Sequence, residues 1–327
     1  MNVPLPRFVQ IEPVGQCNLA CRMCPVVMRG DGGPGKPPAF MPFETFRSLV
    51  DQFEGVEELH LQGLGEPFLH PRFMDMIAYA AGRGLTVSTN TNLTALSERR
   101  AEQCVKSGLA RLHVSLDAAE AAAYEYIRVG SRYDRVVRNL EMLVQAKQRL
   151  GSAKPEIRLV AVLMRRNLDQ LPGLVRFAHE HGIAALSVQQ LAHDFTEDTL
   201  PAKYASMREF VDAQTLATED AALVEAVFTA TRDLAAALGV ELRLPRLRGS
   251  GTRGCDWPWR GAYVAFSGEA MPCCMVATPD RMNFGNMARD GVAPVWDNAA
   301  YNGFRDRLAS DSPPDICRGC AVYRGLF

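Results

Sequence analysis

Six short apolar runs, each leading toward a longer helical pattern, hold this 327-residue chain to a parallel α/β architecture. The runs lie at 7–14, 56–63, 85–90, 111–116, 156–164 and 185–191. In the fifth, Ile157, Leu159, Ala161 and Leu163 alternate with Arg158, Val160, Val162 and Met164. Both faces are therefore largely apolar, as a strand covered on both sides requires. Helical patterns fill 42–53, 71–83, 97–107, 133–150 and 168–181. Each closes near a glycine suited to a left-handed stop: Gly55, Gly84, Gly108, Gly151 and Gly182. Six such units predict an α/β fold, a partial (β/α)6 TIM-like barrel; eight would close a complete one.

An alanine-rich helix is expected over 212–238, then a break at Leu244-Pro245-Arg246-Leu247-Arg248-Gly249-Ser250-Gly251. The rest carries five of the nine cysteines and many turn residues. It reads as a small domain stabilised by a bound cluster, too short to rest on a core alone. The expected organisation is a barrel at 1–200, a helical linker at 201–250 and a cysteine-rich domain at 251–327. The loop 29–39, RGDGGPGKPPA, is turn-rich and is expected near the first cysteine loop.

Composition excludes several function classes. Lys plus Arg is 36 and Asp plus Glu is 37, a net charge of −1. That leaves no basic field for nucleic acid or a membrane surface. No apolar run reaches the roughly 18 residues of a membrane span, and residues 1–7 lack the cationic head and apolar run of a signal peptide. A cytoplasmic location follows as an expectation. Nine cysteines in such a chain argue for metal or redox use rather than disulfides.

Three of them stand close together: Cys17, Cys21 and Cys24, in Cys17-Asn18-Leu19-Ala20-Cys21-Arg22-Met23-Cys24. They follow the first strand, at the end where parallel barrels build their sites. Three thiolates are one too few for a closed zinc site or the usual four-cysteine iron–sulfur cluster. A cubane held at three corners would leave one iron open to a small molecule; a zinc with a distant fourth ligand is the alternative.

This C-x3-C-x2-C spacing resembles that of the radical S-adenosylmethionine (SAM) enzymes. Other elements share the likeness. Gly63-Leu64-Gly65-Glu66-Pro67 looks like the family's Gly-Gly-Glu element. The resemblance implies that Gly65 and Glu66 hold the methionine ammonium; a carboxylate suits a cation, and glycine admits close backbone approach. Thr91-Asn92-Leu93 is similar to a family Thr-Asn-Gly, and Ser115 matches a ribose-contacting position. Strand-end hydrogen bonding is the alternative for Asn92 and Ser115. Arg128 is a candidate carboxylate partner, with a solvated helix-end arginine as the other reading. Met23 stands where the family usually has an aromatic on the adenine; a thioether can also pack on a ring. The resemblance implies a [4Fe–4S] cluster on Cys17, Cys21 and Cys24. SAM would bind its open iron and yield a 5′-deoxyadenosyl radical that abstracts hydrogen from substrate.

A second set is Cys255, Cys273, Cys274, Cys317 and Cys320. Residues 264–272 read as a hairpin bringing Cys255 and Cys273 together, and Cys317-Arg318-Gly319-Cys320 supplies two more thiols. By spacing alone, zinc and an iron–sulfur cluster both remain open. The arrangement is similar to the SPASM domain in its shortened form, called twitch, as in the 2-deoxy-scyllo-inosamine dehydrogenase type. That implies an auxiliary [4Fe–4S] cluster on Cys255, Cys273, Cys317 and Cys320, two clusters in all. Cys274 is a packed thiol, an alternate ligand, or a hydrogen donor to a substrate radical. The donor role would turn oxidation into epimerisation. Cys104 reads as a buried apolar residue, and Trp257 and Trp259 as cluster or domain-junction packing. His193, Asp194, Gln189 and Gln190 are candidates for the barrel mouth.

The leading expectation is an oxidoreductase that dehydrogenates or epimerises a carbohydrate- or cyclitol-like small molecule. The alternatives are a maturase of ribosomal peptides and a non-enzymatic metal-binding scaffold. The peptide reading ranks second because the first run begins at residue 7, leaving no room before it for a recognition domain. An electron donor such as flavodoxin or ferredoxin is the expected partner.

Overall fold

The computed structural model describes residues 3–29, 35, 39–191, 195, 197–246, 253–276 and 278–326. The six apolar runs become strands β1 (Phe8–Ile11), β2 (Glu58–Leu61), β3 (Thr86–Thr91), β4 (Arg111–Ser115), β5 (Glu156–Leu163) and β6 (Ala185–Gln190). Each pairs in parallel with the next. The connections carry α1 (Phe43–Gln52), α2 (Phe73–Gly82), α3 (Glu98–Lys106), α4 (Ala121–Ile127), α5 (Tyr133–Arg149) and α6 (Leu171–Glu180). The five glycines expected as stops have φ between 59° and 84° at Gly55, Gly84, Gly151 and Gly182, and 88° at Gly108.

The rhythm continues past the sixth unit. The helix expected over 212–238 is two helices, α7 (Ala205–Gln214) and α8 (Ala221–Leu238). Between them Thr215 accepts from the Ala217 N–H and Asp220 from the Ala222 N–H, local bonds that favour a break. Then β7 (Glu241–Arg243) adds a further parallel strand beside β6, inside the expected linker. On the other flank β8 (Gly261–Val264) pairs in parallel with β1, and β9 (Ala270–Met271) returns antiparallel as the expected hairpin. The sheet order is β7-β6-β5-β4-β3-β2-β1-β8-β9. Its edges, β7 and β9, do not pair among the described residues, so the barrel is open.

The two sheet faces differ. Val9, Ile11, Leu59, Leu61, Val114 and Leu159 belong to the apolar layer against the helices, with Phe46, Ile77, Leu140 and Leu174. Each such side chain contributes about 1.5–3 kcal/mol on burial. The opposite face is polar and lines the lumen. His60 Nδ1 lies 2.8 Å from Ser88 Oγ and its Nε2 2.7 Å from Gln62 Oε1, while His113 Nδ1 lies 2.9 Å from Asn90 Oδ1. Burial holds both imidazole pKa values below the usual histidine range, that of His113 at about 4, so both are neutral at pH 7.

The last third contributes short helices: α9 (Trp257–Arg260), α10 (Met287–Asp290), α11 (Val292–Trp296), α12 (Ala299–Leu308) and α13 (Asp315–Arg318). It docks by extending the barrel sheet and by buried polar bonds. The Trp296 indole donates to the carbonyls of Val3 and Pro4, both at 3.1 Å. Within the last third itself, Arg305 donates to the carbonyls of Pro258 and Trp296 at 2.9 and 2.7 Å, tying α12 to α9 and α11. Trp257 packs edge-on to Phe8, centroids 5.3 Å apart, which is the domain-junction role expected of it. Among the described residues, no helix is long and apolar enough to cross a membrane.

Candidate active site

The three-cysteine loop leaves the C-terminal end of β1 and is held by backbone bonds to the last residue of α4 and the segment that follows it. Ala20 N donates to Val129 O at 2.9 Å, and Arg22 N to Ile127 O at 3.0 Å. Cys24 N donates to Cys21 O, a tight turn that brings those two residues together. Cys17 accepts from the Leu19 N–H at 3.4 Å and faces the Asn92 amide at 3.6 Å. Burial pushes all three thiols up, Cys24 to about 12; the neighbouring charges of Glu66 and Cys24 act the same way on Cys17, and that of Cys21 on Cys24.

Glu66 is 3% exposed and fully engaged. Its Oε1 accepts from Thr91 Oγ1 at 2.7 Å and from the Phe68 N–H at 3.1 Å; its Oε2 accepts from the Asn92 N–H at 2.7 Å. The carboxylate thus ties the loop after β2 to the end of β3. Burial raises its pKa, and these donors oppose the rise. Glu66 N donates to Gln16 O at 2.8 Å, so the same loop is bolted to the cysteine loop. Gly65 is dictated by that contact: a Cβ there would lie 2.0 Å from Val14 O and 2.7 Å from Gln16 O.

Asn92 continues the chain of contacts. Its amide donates to Asn18 Oδ1 at 3.1 Å, and its Oδ1 accepts from the Thr94 N–H at 2.9 Å and Thr94 Oγ1 at 2.6 Å. Leu93, where the family motif has glycine, adopts φ 62° and is 0% exposed. The left-handed backbone persists, although a side chain there costs roughly 1–2 kcal/mol.

Arg128 is not the solvated helix-end side chain of the alternative reading; it is 8% exposed. Its Nε lies 2.7 Å from Asp117 Oδ2, a charge contact in which the N–H points off the line to the oxygen. Its charge lies close enough to the Cys21 thiol to oppose the upward push of burial there. Asp117, 0% exposed, accepts from the Val162 N–H at 2.8 Å and binds Arg128 to the end of the barrel. Met23 packs with Leu19, Cys21, Ile127 and Met164 in a small apolar cluster beside the cysteines. Ser115 ends β4 opposite Val160, half-buried. Gln189 is exposed at the end of β6, and Gln190 donates to the Arg246 carbonyl at 2.6 Å. His193 and Asp194 lie outside the described residues.

The five C-terminal cysteines converge. Cys273 feels the charges of Cys274, Cys320, Cys317 and Cys255, and Cys274 those of Cys320 and Cys255. Burial is the main cause raising these thiols, Cys274 to about 12. Cys104 stands apart, on the buried face of α3 in the core.

Residues 11–178 match the family model described as the radical SAM superfamily. The chain belongs to that superfamily. Residues 255–321 match the SPASM model, an iron–sulfur cluster-binding domain. Among curated proteins, the chain is 24% identical over 319 residues to a tungsten-containing aldehyde ferredoxin oxidoreductase cofactor-modifying protein of Pyrococcus furiosus, covering 91% of this chain and 83% of that one. It is 27% identical over 324 residues to a PqqA peptide cyclase of Xanthomonas euvesicatoria, covering 97% and 80%. Among solved structures, Streptococcus suis SuiB bound to precursor peptide SuiA has a TM-score of 0.70 at 17% identity, over 98% of this chain and 71% of that one. At that identity the likeness concerns the fold.

The radical SAM chain is therefore an enzyme of a class that uses SAM and iron–sulfur clusters, and its thiols suit such groups. Buried thiols raised by each other and by a carboxylate hold their protons unless a strongly cationic centre replaces them. Both cysteine sets have this character. Among the described residues no three Cys, His, Asp or Glu side chains are drawn tightly enough to hold a single metal ion.

Two groups at this site carried no sequence signal as site residues: Glu12, at the end of β1, and Arg29, just after the cysteines. They form a buried ion pair at 2.9 Å. A glutamate after a strand and an arginine opening a glycine-rich loop look ordinary until the fold joins them.

Proposed function

We propose that this radical SAM enzyme modifies a peptide, as a maturase of a precursor chain, rather than oxidising or epimerising a small cyclitol. The observation that carries this is alignment over 97% of the chain with a protein named a peptide cyclase. A fold shared with SuiB, crystallised with a precursor peptide, supports it. A recognition element on a separate protein fits the same reading.

Cys17, Cys21 and Cys24 would hold the first [4Fe–4S] cluster; Cys255, Cys273, Cys317 and Cys320 would hold the second, giving two per chain. Gly65, Glu66, Asn92, Ser115, Arg128 and Met23 would form the bed for SAM. When bound, the first cluster and SAM supply a carbon radical able to take a hydrogen atom from the peptide. The protein orients Cys17 through Asn92, keeps Arg128 charged beside Cys21 and excludes water with the Met23 cluster.

A second reading rests on the convergence of five thiols where four ligands suffice. Cys274 would then donate a hydrogen atom to the peptide radical, and the outcome would be epimerisation.

The test is anaerobic turnover in deuterated solvent with SAM and candidate precursor peptides encoded beside the gene. Loss of two hydrogens from the peptide indicates bond formation. A gain of one deuterium, abolished by Cys274→Ala, indicates epimerisation. Turnover of a cyclitol with none of any peptide contradicts the proposal.

A further inference from the structure

Glu12 is a buried carboxylate that neither cysteine set uses, yet it touches both halves of the molecule. It is 1% exposed. Arg29 Nη1 donates to both of its oxygens, at 2.9 and 3.1 Å. Its Oε1 also accepts from the Leu64 N–H at 2.8 Å, inside the glycine–glutamate loop. Its Oε2 accepts from the Phe266 N–H at 3.3 Å, at the turn between β8 and β9. The Arg29 guanidinium lies over the Phe266 ring, 4.9 Å from its centroid.

Two glycines are shaped around this knot. A Cβ on Gly63 would lie 2.3 Å from Glu12 Cγ, and one on Gly15 would lie 2.4 Å from the Phe266 ring. Three segments distant in sequence therefore meet on one side chain: the cysteine loop through Arg29, the methionine-end loop through Leu64, and the SPASM hairpin through Phe266. The strand leaving that turn, β9, ends two residues before Cys273. Tyr263, on the partner strand, feels the charges of Glu12 and Arg29 and those of Cys274 and Cys273.

We infer that Glu12 is a positioning residue that registers the SPASM hairpin against the SAM loop, so that SAM seated at Gly65 and Glu66 is felt at the auxiliary cysteines. A ligand that orders the 63–66 loop orders the Leu64 N–H. That fixes one oxygen of a carboxylate whose other oxygen holds the hairpin turn. The coupling is reciprocal: an ordered hairpin strengthens SAM binding by the same factor. The inference rests on SAM binding at this loop and is independent of whether the substrate is a peptide.

Hydrogen exchange of the reconstituted enzyme, with and without SAM, tests it. In the native protein, SAM slows exchange at least threefold both in 63–66 and in 264–268. In Glu12→Gln, one acceptor oxygen remains for the Leu64 N–H while the charge that holds Arg29 is gone. SAM then protects 63–66 but leaves 264–268 unchanged, with the iron content of both cysteine sets retained. Glu12→Asp, which restores the charge on a shorter arm, recovers part of the hairpin protection. If Glu12→Gln does not accumulate as folded protein, Phe266→Leu, which removes only the ring from Arg29, weakens the hairpin response in the same direction. Hairpin protection that persists in these variants, or is absent in the native enzyme while 63–66 responds, overturns the inference. A native enzyme in which neither segment responds overturns it together with SAM binding at this loop.

Discussion

Arg128 Nε lies 2.7 Å from Asp117 Oδ2, with both side chains under 10% exposed, beside a cysteine of the first set. An arginine from the end of α4 and an aspartate after β4 thereby form a buried ion pair beside Cys21. Removing one member strands the other charge in the interior, at a cost of about 3–5 kcal/mol. Asp117→Asn keeps an acceptor for the Val162 N–H and removes only the charge. Urea unfolding is expected to show a loss within that range. Arg128→Met with Asp117→Leu should lose less than the sum of the single changes. Single variants within about 0.5 kcal/mol of the parent, the level of an ordinary surface change, contradict the pair's role.

Gly65 has no room for a side chain. Its Cβ would meet the carbonyl oxygens of Val14 and Gln16 at 2.0 and 2.7 Å. Both obstacles are backbone, so Gly65→Ala must displace the cysteine loop or its own. We expect a stability loss of about 2 kcal/mol or more and an at least tenfold weaker SAM-dependent release of 5′-deoxyadenosine. A variant that melts and cleaves SAM like the parent removes the close-approach argument.

Asn139 Nδ2 donates to the Leu93 carbonyl at 2.8 Å, anchoring the left-handed turn after β3 from α5. Asn139→Ala leaves that buried carbonyl without its side-chain donor, worth about 1–3 kcal/mol. Leu93→Gly relieves the backbone but removes a fully buried leucine, so it too should destabilise, by about 1–3 kcal/mol net. Denaturant midpoints of the two variants check this. A more stable Leu93→Gly protein would show that strain outweighs packing.

Cys104 gives a pH dependence of definite sign. Burial raises its thiol from 9.0 to about 12, so the folded chain holds this proton more tightly than the unfolded one. Its contribution to stability is complete below pH 9 and is lost as pH rises from 9 toward 12, by about 1.4 kcal/mol per unit. Cys104→Ala cannot titrate. The melting-temperature difference between parent and Cys104→Ala should therefore shift in favour of the variant between pH 8 and 11. A constant difference contradicts the assigned burial of the thiol.

Much of this architecture was legible in the residues, and the rest was hidden for identifiable reasons. Strands β1 to β6 announce themselves by apolar runs, and the helices by glycine stops. Helix α4, AAAYEYI, spans only seven residues, too few for a clear period. Strand β7 is Glu241-Leu242-Arg243 and owes its existence to pairing with β6, not to its own composition. At the site, the cysteines and the Glu66 and Asn92 motifs stood out by spacing. Their mutual contact did not: the Asn92 N–H reaches Glu66 only because β2 and β3 are neighbours. Glu12 and Arg29 were invisible for the same reason, since a long-range ion pair leaves no local pattern.

Two separate cysteine sites, each filled by its own cubane, are expected in this chain. Iron and sulfide per chain after anaerobic reconstitution measure this directly. We expect about eight irons in the parent, and about four after Cys17→Ala, Cys21→Ala and Cys24→Ala together or after Cys255→Ala with Cys317→Ala. Only the second of these variants should still respond to SAM in the electron paramagnetic resonance spectrum of the reduced protein. About four irons in the parent, or no loss of iron from the Cys255 and Cys317 variant, would contradict it.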